Sequence, residues 1–191
     1  MAHRLLRTEC IYQGRIFRLT RNRVKLPNGR IARLDLIEHP GAVAVVPILD
    51  DGRVVLLHQF RLAARGEIWE IPAGTREPGE APRITARRET IEETGWRPGR
   101  MIPLAKFYAA PGVSTEVMHV FLATGLRPGR TALEPYECIR PQAFPFDRAI
   151  RMIEEGKVCD AKSIIGLLRA KDYLSTRKGR RRIGTLAANR S

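Results

Sequence analysis

Acidic residues are scarce in this chain. Its 191 residues hold 20 Asp and Glu against 34 Lys and Arg, a formal charge of +14 at pH 7. Such a surface attracts anions, but charge alone says little more than that. Aromatic residues make up only 6% and are not interleaved with the basic ones. This argues against the whole chain being a nucleic-acid platform, which stacks bases on aromatic side chains beside cationic ones. Cysteine is limited to Cys10, Cys138 and Cys159, which are far apart and lack the paired spacing of a metal site. They are expected to be reduced thiols in a cytoplasmic protein. No run approaches the roughly 20 apolar residues that span a bilayer. The opening "MAHRLLRTEC" also lacks the apolar segment and small-residue cleavage site of a secretory signal. No membrane partner is expected.

With 43% hydrophobic residues, the chain can bury the core of one domain and a small appendage. Residues 10–38 alternate apolar and polar positions, with Pro27-Asn28-Gly29 as a tight turn, and predict a small antiparallel unit. The runs "AVAVVPIL" and "RVVLLHQF" are β-branched strands parted by Asp50-Asp51-Gly52. A short strand "IWEIP" precedes the Gly- and Pro-rich loop "AGTREPGEAP". Pro82 suits a first helical position and Gly95 a C-terminal cap, so a helix is expected between them. Strands "MIPLAKFYAA" and "VMHVFLATG" follow, then two helical patterns, the second capped by Asp160. This mixture without regular βαβ alternation predicts an α/β or α+β layering. The expected division is an N-terminal β unit over residues 1–39, a main domain over 40–174 and a basic tail over 175–191. The tail gathers Arg177, Lys178, Arg180, Arg181 and Arg182 without apolar periodicity. It reads as a disordered solubilising end, with contact to nucleic acid as the less favoured alternative.

Against this background, "RRETIEETG" at residues 87–95 crowds Glu89, Glu92 and Glu93 together. On a helix, Ile84 and Ile91 fall on one line, expected to face the core, with the glutamates on the far side. Carboxylates this close repel one another unless a cation is shared. Hard divalent cations such as Mg²⁺ take oxygen ligands of this kind.

The wider spacing is more specific. Gly74, five residues, Glu80, seven residues, Arg88-Glu89, then Glu92-Glu93 and Gly95 resembles the Nudix box, Gly-x5-Glu-x7-Arg-Glu-U-x-Glu-Glu-x-Gly-U, where U is a bulky aliphatic. Thr90 and Trp96 occupy the two U positions, and Thr90 departs mildly from the pattern. The resemblance implies an α/β/α Nudix sandwich that hydrolyses a nucleoside diphosphate linked to a further moiety. It also implies that the Ala73 carbonyl, Glu89 and Glu93 hold the metal, with Glu92 as a further ligand. The implied cofactor is Mg²⁺, with Mn²⁺ as a substitute. Arg88 would hold a box glutamate in place, and Glu80 would help orient the metal shell or its water.

Features outside the box are similar to the ADP-ribose pyrophosphatase and nucleotide-sugar hydrolase branch. Pro111 lies sixteen residues after Gly95 in "YAAPGVSTE", and "EHPGAVAVVPI" and "HQFRLAARGEIWEIPAG" also fit. The resemblance makes Arg61 a phosphate contact, and Phe17 and Arg33 contacts to the base. It implies a nucleotide-sugar substrate and a homodimer whose N-terminal unit reaches the partner's pocket. One departure is the acid-poor stretch "LEPYECIRP", which holds only Glu134 and Glu137 where the branch has an acidic loop. Glu116 and Glu137 are therefore the two candidates for the general base. Glu116 is preferred because "PGVST" suggests a mobile loop. The rival readings are hydrolysis of a nucleotide sugar with another base or sugar, and a Nudix-fold protein that binds RNA or nucleotides.

Overall fold

The structure is a computed structural model and describes residues 2–133 and 138–176. Three antiparallel strands open it: β1 (Arg4–Gln13), β2 (Arg18–Lys25) and β3 (Ile31–Glu38), in the order β1-β2-β3. This sheet begins several residues before the alternating pattern that predicts it. β1 is an edge strand exposed along its whole length, so it has no buried face to impose an alternation.

The main body contains β4 (Ala42–Pro47), β5 (Arg53–Arg61), β6 (Gly66–Glu70) and β7 (Ala73–Thr75), then α1 (Pro82–Thr94). It continues through β8 (Trp96–Arg97), β9 (Arg100–Tyr108), β10 (Val117–Thr124), β11 (Arg127–Pro128), β12 (Ile139–Pro145), α2 (Phe146–Glu154) and α3 (Ala161–Ser175). A mixed sheet runs β7-β4-β10-β9, with β4 and β10 parallel. A second, antiparallel sheet runs β12-β5-β6, and β8 pairs with β11.

The six-residue β4 is buried throughout, and its alternation divides the core. Val43 and Val45 pack with Phe121 and with Ala86 of α1. Ala44 and Val46 pack with Val120, Leu122 and, on α3, Leu167 and Ala170. Helices therefore cover both faces of the mixed sheet, the three-layer α/β/α arrangement expected from the sequence. Full burial of each valine or leucine contributes about 1.5–3 kcal/mol.

α3 starts as expected, with the Asp160 carboxylate accepting from Ser163 N at 3.2 Å. Ser163 Oγ in turn accepts from Ile71 N at 2.9 Å, which ties the helix start to the segment between β6 and β7. β12 was not expected, because "IRPQAFP" contains two prolines that cannot donate to a ladder. Its place at the edge of the second sheet removes that objection.

One expectation fails on α1. Ile84 is 58% exposed, and the buried positions are Thr85, Ala86, Thr90, Glu93 and Thr94. The small inner face lets the helix approach β4 and β7 closely enough for a glutamate to reach the strand. Among the described residues, no helix is long and apolar enough to cross a membrane.

Candidate active site

β7 and α1 form the site together. β7 pairs antiparallel with β4 through Ala73↔Ala44 and Gly74↔Val43, which fixes its backbone beneath the helix. α1 begins at Pro82 and is capped after Thr94 by Gly95, whose φ of 72° is left-handed and whose N–H reaches Ile91 O at 2.9 Å. Within this frame Glu93, buried at 5% exposure, accepts from Ala73 N at 2.9 Å through Oε2. The Glu89 carboxylate lies against Gly74, where a Cβ would come within 2.0 Å of Glu89 Cδ. Any larger residue there would displace the carboxylate.

Arg88 organises the remaining acids. Its Nη1 lies 2.8 Å from Glu89 Oε1 and 2.9 Å from Glu92 Oε2, and its Nη2 lies 3.3 Å from Glu80 Oε2. Burial opposes the guanidinium charge, yet Glu80, Glu89 and Glu92 together raise its pKa above the ordinary value. Glu80 is held below the usual carboxylate range chiefly by hydrogen bonding from Arg88, against desolvation and with help from Thr85 Oγ1. The loop glutamate is thus bound to the helix through Arg88. Thr90 is fully buried, and its hydroxyl donates to Ala86 O at 2.6 Å, so this departure from an aliphatic leaves no polar group unsatisfied.

Beside these acids lies a cleft of about 620 Å³, lined by Ala73, Gly74, Arg88, Glu89 and Glu93 together with Arg61 and Phe60. Arg15 and Ile16, between β1 and β2, line another part of it, as do Cys138 and Ile139. Arg61 Nε donates to Glu70 Oε2 at 2.7 Å. Phe60, Arg15 and Glu70 escaped the sequence reading. The only signal for them was proximity to "HQFR", "GRIF" and "WEIPAG".

Other expected residues lie elsewhere. Arg33 is on β3, in register with Arg23, which is itself in register with Arg7. These three share a separate recess with Glu9 and Arg21 and do not line the cleft of their own chain. Phe17 is adjacent in sequence to the cleft-lining Ile16, and its ring sits 6.1 Å from that of Tyr12. Pro111 is exposed at the turn before Glu116, and neither residue lines the cleft. The turn is not loose, because Ile37 N donates to Val113 O at 2.8 Å and Thr115 N donates to Ile37 O at 2.9 Å. Glu137 and almost all of the basic tail fall outside the described residues.

The donor set suits a divalent metal. It comprises Glu89 and Glu93 from one side of α1 and the carbonyl of Ala73, all hard oxygens on one cleft wall. Among the described residues, no group of three or more Asp, Glu, His or Cys side chains is placed to hold a metal by itself. Two carboxylates and a carbonyl would leave a hard divalent ion to complete its shell with water and substrate phosphate.

A three-layer fold that sets clustered carboxylates and an arginine in one cleft is suited to metal-assisted chemistry on phosphorylated substrates. Residues 38–164 match the NUDIX domain model, and the chain belongs to the Nudix hydrolase family. It is 36% identical over 174 residues to the ADP-ribose pyrophosphatase of Bacillus subtilis (strain 168), covering 89% of this chain and 94% of that one. It is 37% identical over 164 residues to the methanol dehydrogenase activator of Bacillus methanolicus, covering 85% and 89% respectively. The GDP-mannose pyrophosphatase of Escherichia coli O139:H28 (strain E24377A / ETEC) is 34% identical over 132 residues, 64% of this chain and 66% of that protein. A solved ADP compounds hydrolase superposes with a TM-score of 0.81 at 21% identity, over 94% of this chain and 97% of that one, which supports the fold.

Proposed function

We propose that the protein hydrolyses the pyrophosphate of ADP-ribose, or of a closely related nucleotide sugar, to AMP and a sugar phosphate with Mg²⁺. The observation that carries this reading is the position of Arg61 in one cleft with Glu89, Glu93 and the Ala73 carbonyl. That arrangement sets a cationic phosphate grip beside the oxygen ligands of a metal. When bound, the ion neutralises the diphosphate and makes water more acidic. Ala73, Glu89 and Glu93 would hold it, and Arg88 would keep the carboxylates in place; Glu92, expected as a further ligand, does not line that cleft and is paired with Arg88 instead. In the reaction, water oxygen bonds to phosphorus, a bridging P–O bond breaks, and a carboxylate takes the proton. Phe60, at the cleft wall and 54% exposed, is the aromatic side chain available there to stack on the base.

A panel of ADP-ribose, GDP-mannose, other nucleotide sugars, dinucleotide polyphosphates and capped RNA tests the reading, with Mg²⁺ or Mn²⁺ and the products identified. AMP and ribose phosphate as the fastest-formed products are expected. Preference for another nucleotide sugar would leave the chemistry standing and move the specificity. Binding of RNA without cleavage of any member would replace the enzyme by a binding protein.

For the base we favour Glu137 over Glu116. The Glu116 turn is fastened to β3, whereas Glu137 precedes Cys138, a cleft residue. Glu137→Gln is expected to lower kcat by about 10²-fold or more with little change in KM. Glu116→Gln is expected to cost less than Glu137→Gln. The reverse order in steady-state kinetics would return the role to Glu116.

We also propose a homodimer built through the N-terminal sheet. Leu5 and Leu34, 56% and 48% exposed, lie on one face of that sheet beside Val24 and Asn22. Apolar groups left open on a sheet face mark an interface. A role for Arg33 in base binding then requires the cleft of the second copy. Light scattering should give twice the chain mass, and Leu34→Glu should shift it towards the monomer. A wild-type protein that is monomeric and fully active would rule this out.

A further inference from the structure

The least accessible charged side chain near the cleft belongs to Glu70, which none of the roles above uses. It ends β6 and is 3% exposed. A carboxylate this deep is strongly unfavourable unless its charge is matched and its lone pairs are occupied. Both conditions are met, and unevenly. Oε2 accepts from Gln59 Nε2 at 2.5 Å and from Arg61 Nε at 2.7 Å, and lies 2.7 Å from Arg61 Nη2. Oε1 accepts from Lys162 Nζ at 2.7 Å. Lys162 belongs to α3 and also donates to Asp160 Oδ2 at 2.8 Å, the carboxylate that caps the same helix. One oxygen therefore faces the cleft arginine and the other faces the helix behind it.

We infer that Glu70 is a positioning residue for substrate binding: it holds the Arg61 guanidinium by one edge, ready to grip a phosphate, and Lys162 holds Glu70. This rests on the reading of the cleft as a nucleotide-sugar diphosphate site with Arg61 as its phosphate contact. Among the described residues, Arg61 is engaged through Nε and Nη2 by Glu70, which leaves Nη1 for the ligand. An arginine stem has many rotamers, and a side chain already fixed loses less freedom when it binds. Lys162 has a second effect. It shares the Glu70 charge, so the carboxylate does not cancel Arg61 outright and the cleft keeps its attraction for anions. The position also relates to the metal wall, since the chain runs from Glu70 through Ile71 and Pro72 directly to Ala73 and Gly74.

Glu70→Gln tests this, because it keeps the shape and removes the charge. The expected result is a rise in KM for ADP-ribose of about tenfold or more with kcat changed by less than about threefold. The affinity for ADP-ribose measured by calorimetry in EDTA should fall in parallel. Arg61→Ala should give a similar loss, and adding Glu70→Gln to it should cost little more, because both remove one device. If Glu70 only neutralised Lys162, Glu70→Gln would lower Tm and leave KM unchanged. If Glu70 acted on binding apart from Arg61, the rise in KM would instead add in full to that of Arg61→Ala. Either of those kinetic results overturns the inference. Should Glu70→Gln fail to fold, Glu70→Gln with Lys162→Met leaves no unmatched ammonium under α3 and carries the same comparison. A wild-type protein that neither binds nor cleaves ADP-ribose overturns the substrate reading instead. The Glu70 comparison then uses the panel compound that is cleaved.

Discussion

Glu89→Gln or Glu93→Gln is expected to lower turnover on ADP-ribose by on the order of 10³-fold, with secondary structure and melting temperature close to wild type. Each change replaces a charged oxygen ligand with a near-isostere, so the loss falls on metal affinity and charge stabilisation rather than on packing. Local contacts support an intact fold. In Glu93→Gln the amide oxygen can still accept from Ala73 N, the bond Glu93 makes at 2.9 Å. In Glu89→Gln, Arg88 keeps Glu80 and Glu92. Kinetics with a Mg²⁺ titration and thermal melts followed by circular dichroism measure both sides. Near-wild-type turnover in both variants would sink the assignment of these carboxylates to the metal. Normal activity recovered at high Mg²⁺ would instead show that they set affinity alone.

Gly74→Ala is expected to cost about 10²-fold in kcat while barely changing stability. A Cβ at this position would lie 2.0 Å from Glu89 Oε1 and 2.5 Å from Oε2. The obstructing atoms are the far end of a flexible side chain, so relief is cheap for the fold: Glu89 swings aside. For the chemistry the same movement is expensive, because the carboxylate leaves the wall it shares with Ala73 and Glu93. The Mg²⁺ concentration needed for half-maximal rate should rise as kcat falls. A variant with normal kinetics and unchanged Mg²⁺ dependence would show that Glu89 does not act from its place against Gly74.

Much of this protein is determined by the sequence alone. Pro82 and Gly95 delimit α1 because one presets φ and lacks a donor that a first turn does not need, while the other adopts the left-handed cap. Asp160 starts α3 because its carboxylate meets an orphan N–H. The spacing from Gly74 to Gly95 resembles the Nudix box, and residues 38–164 match the NUDIX domain model. These are local constraints, and local spacing records them. Which side of α1 faces inward was decided elsewhere. Its apolar residues, Ile84 and Ile91, do not mark the inner face, because close approach to β4 and β7 calls for Ala86, Thr90 and a buried Glu93 instead. The Pro-containing β12 could form only at a sheet edge, and edges exist only once strands are ordered. The clamp on Arg61 joins Gln59 and Glu70, on neighbouring strands, to Lys162 on the last helix. Glu70 and Lys162 are 92 positions apart. No periodicity carries information over that distance. Only the packing of α3 against the sheet brings those charges together.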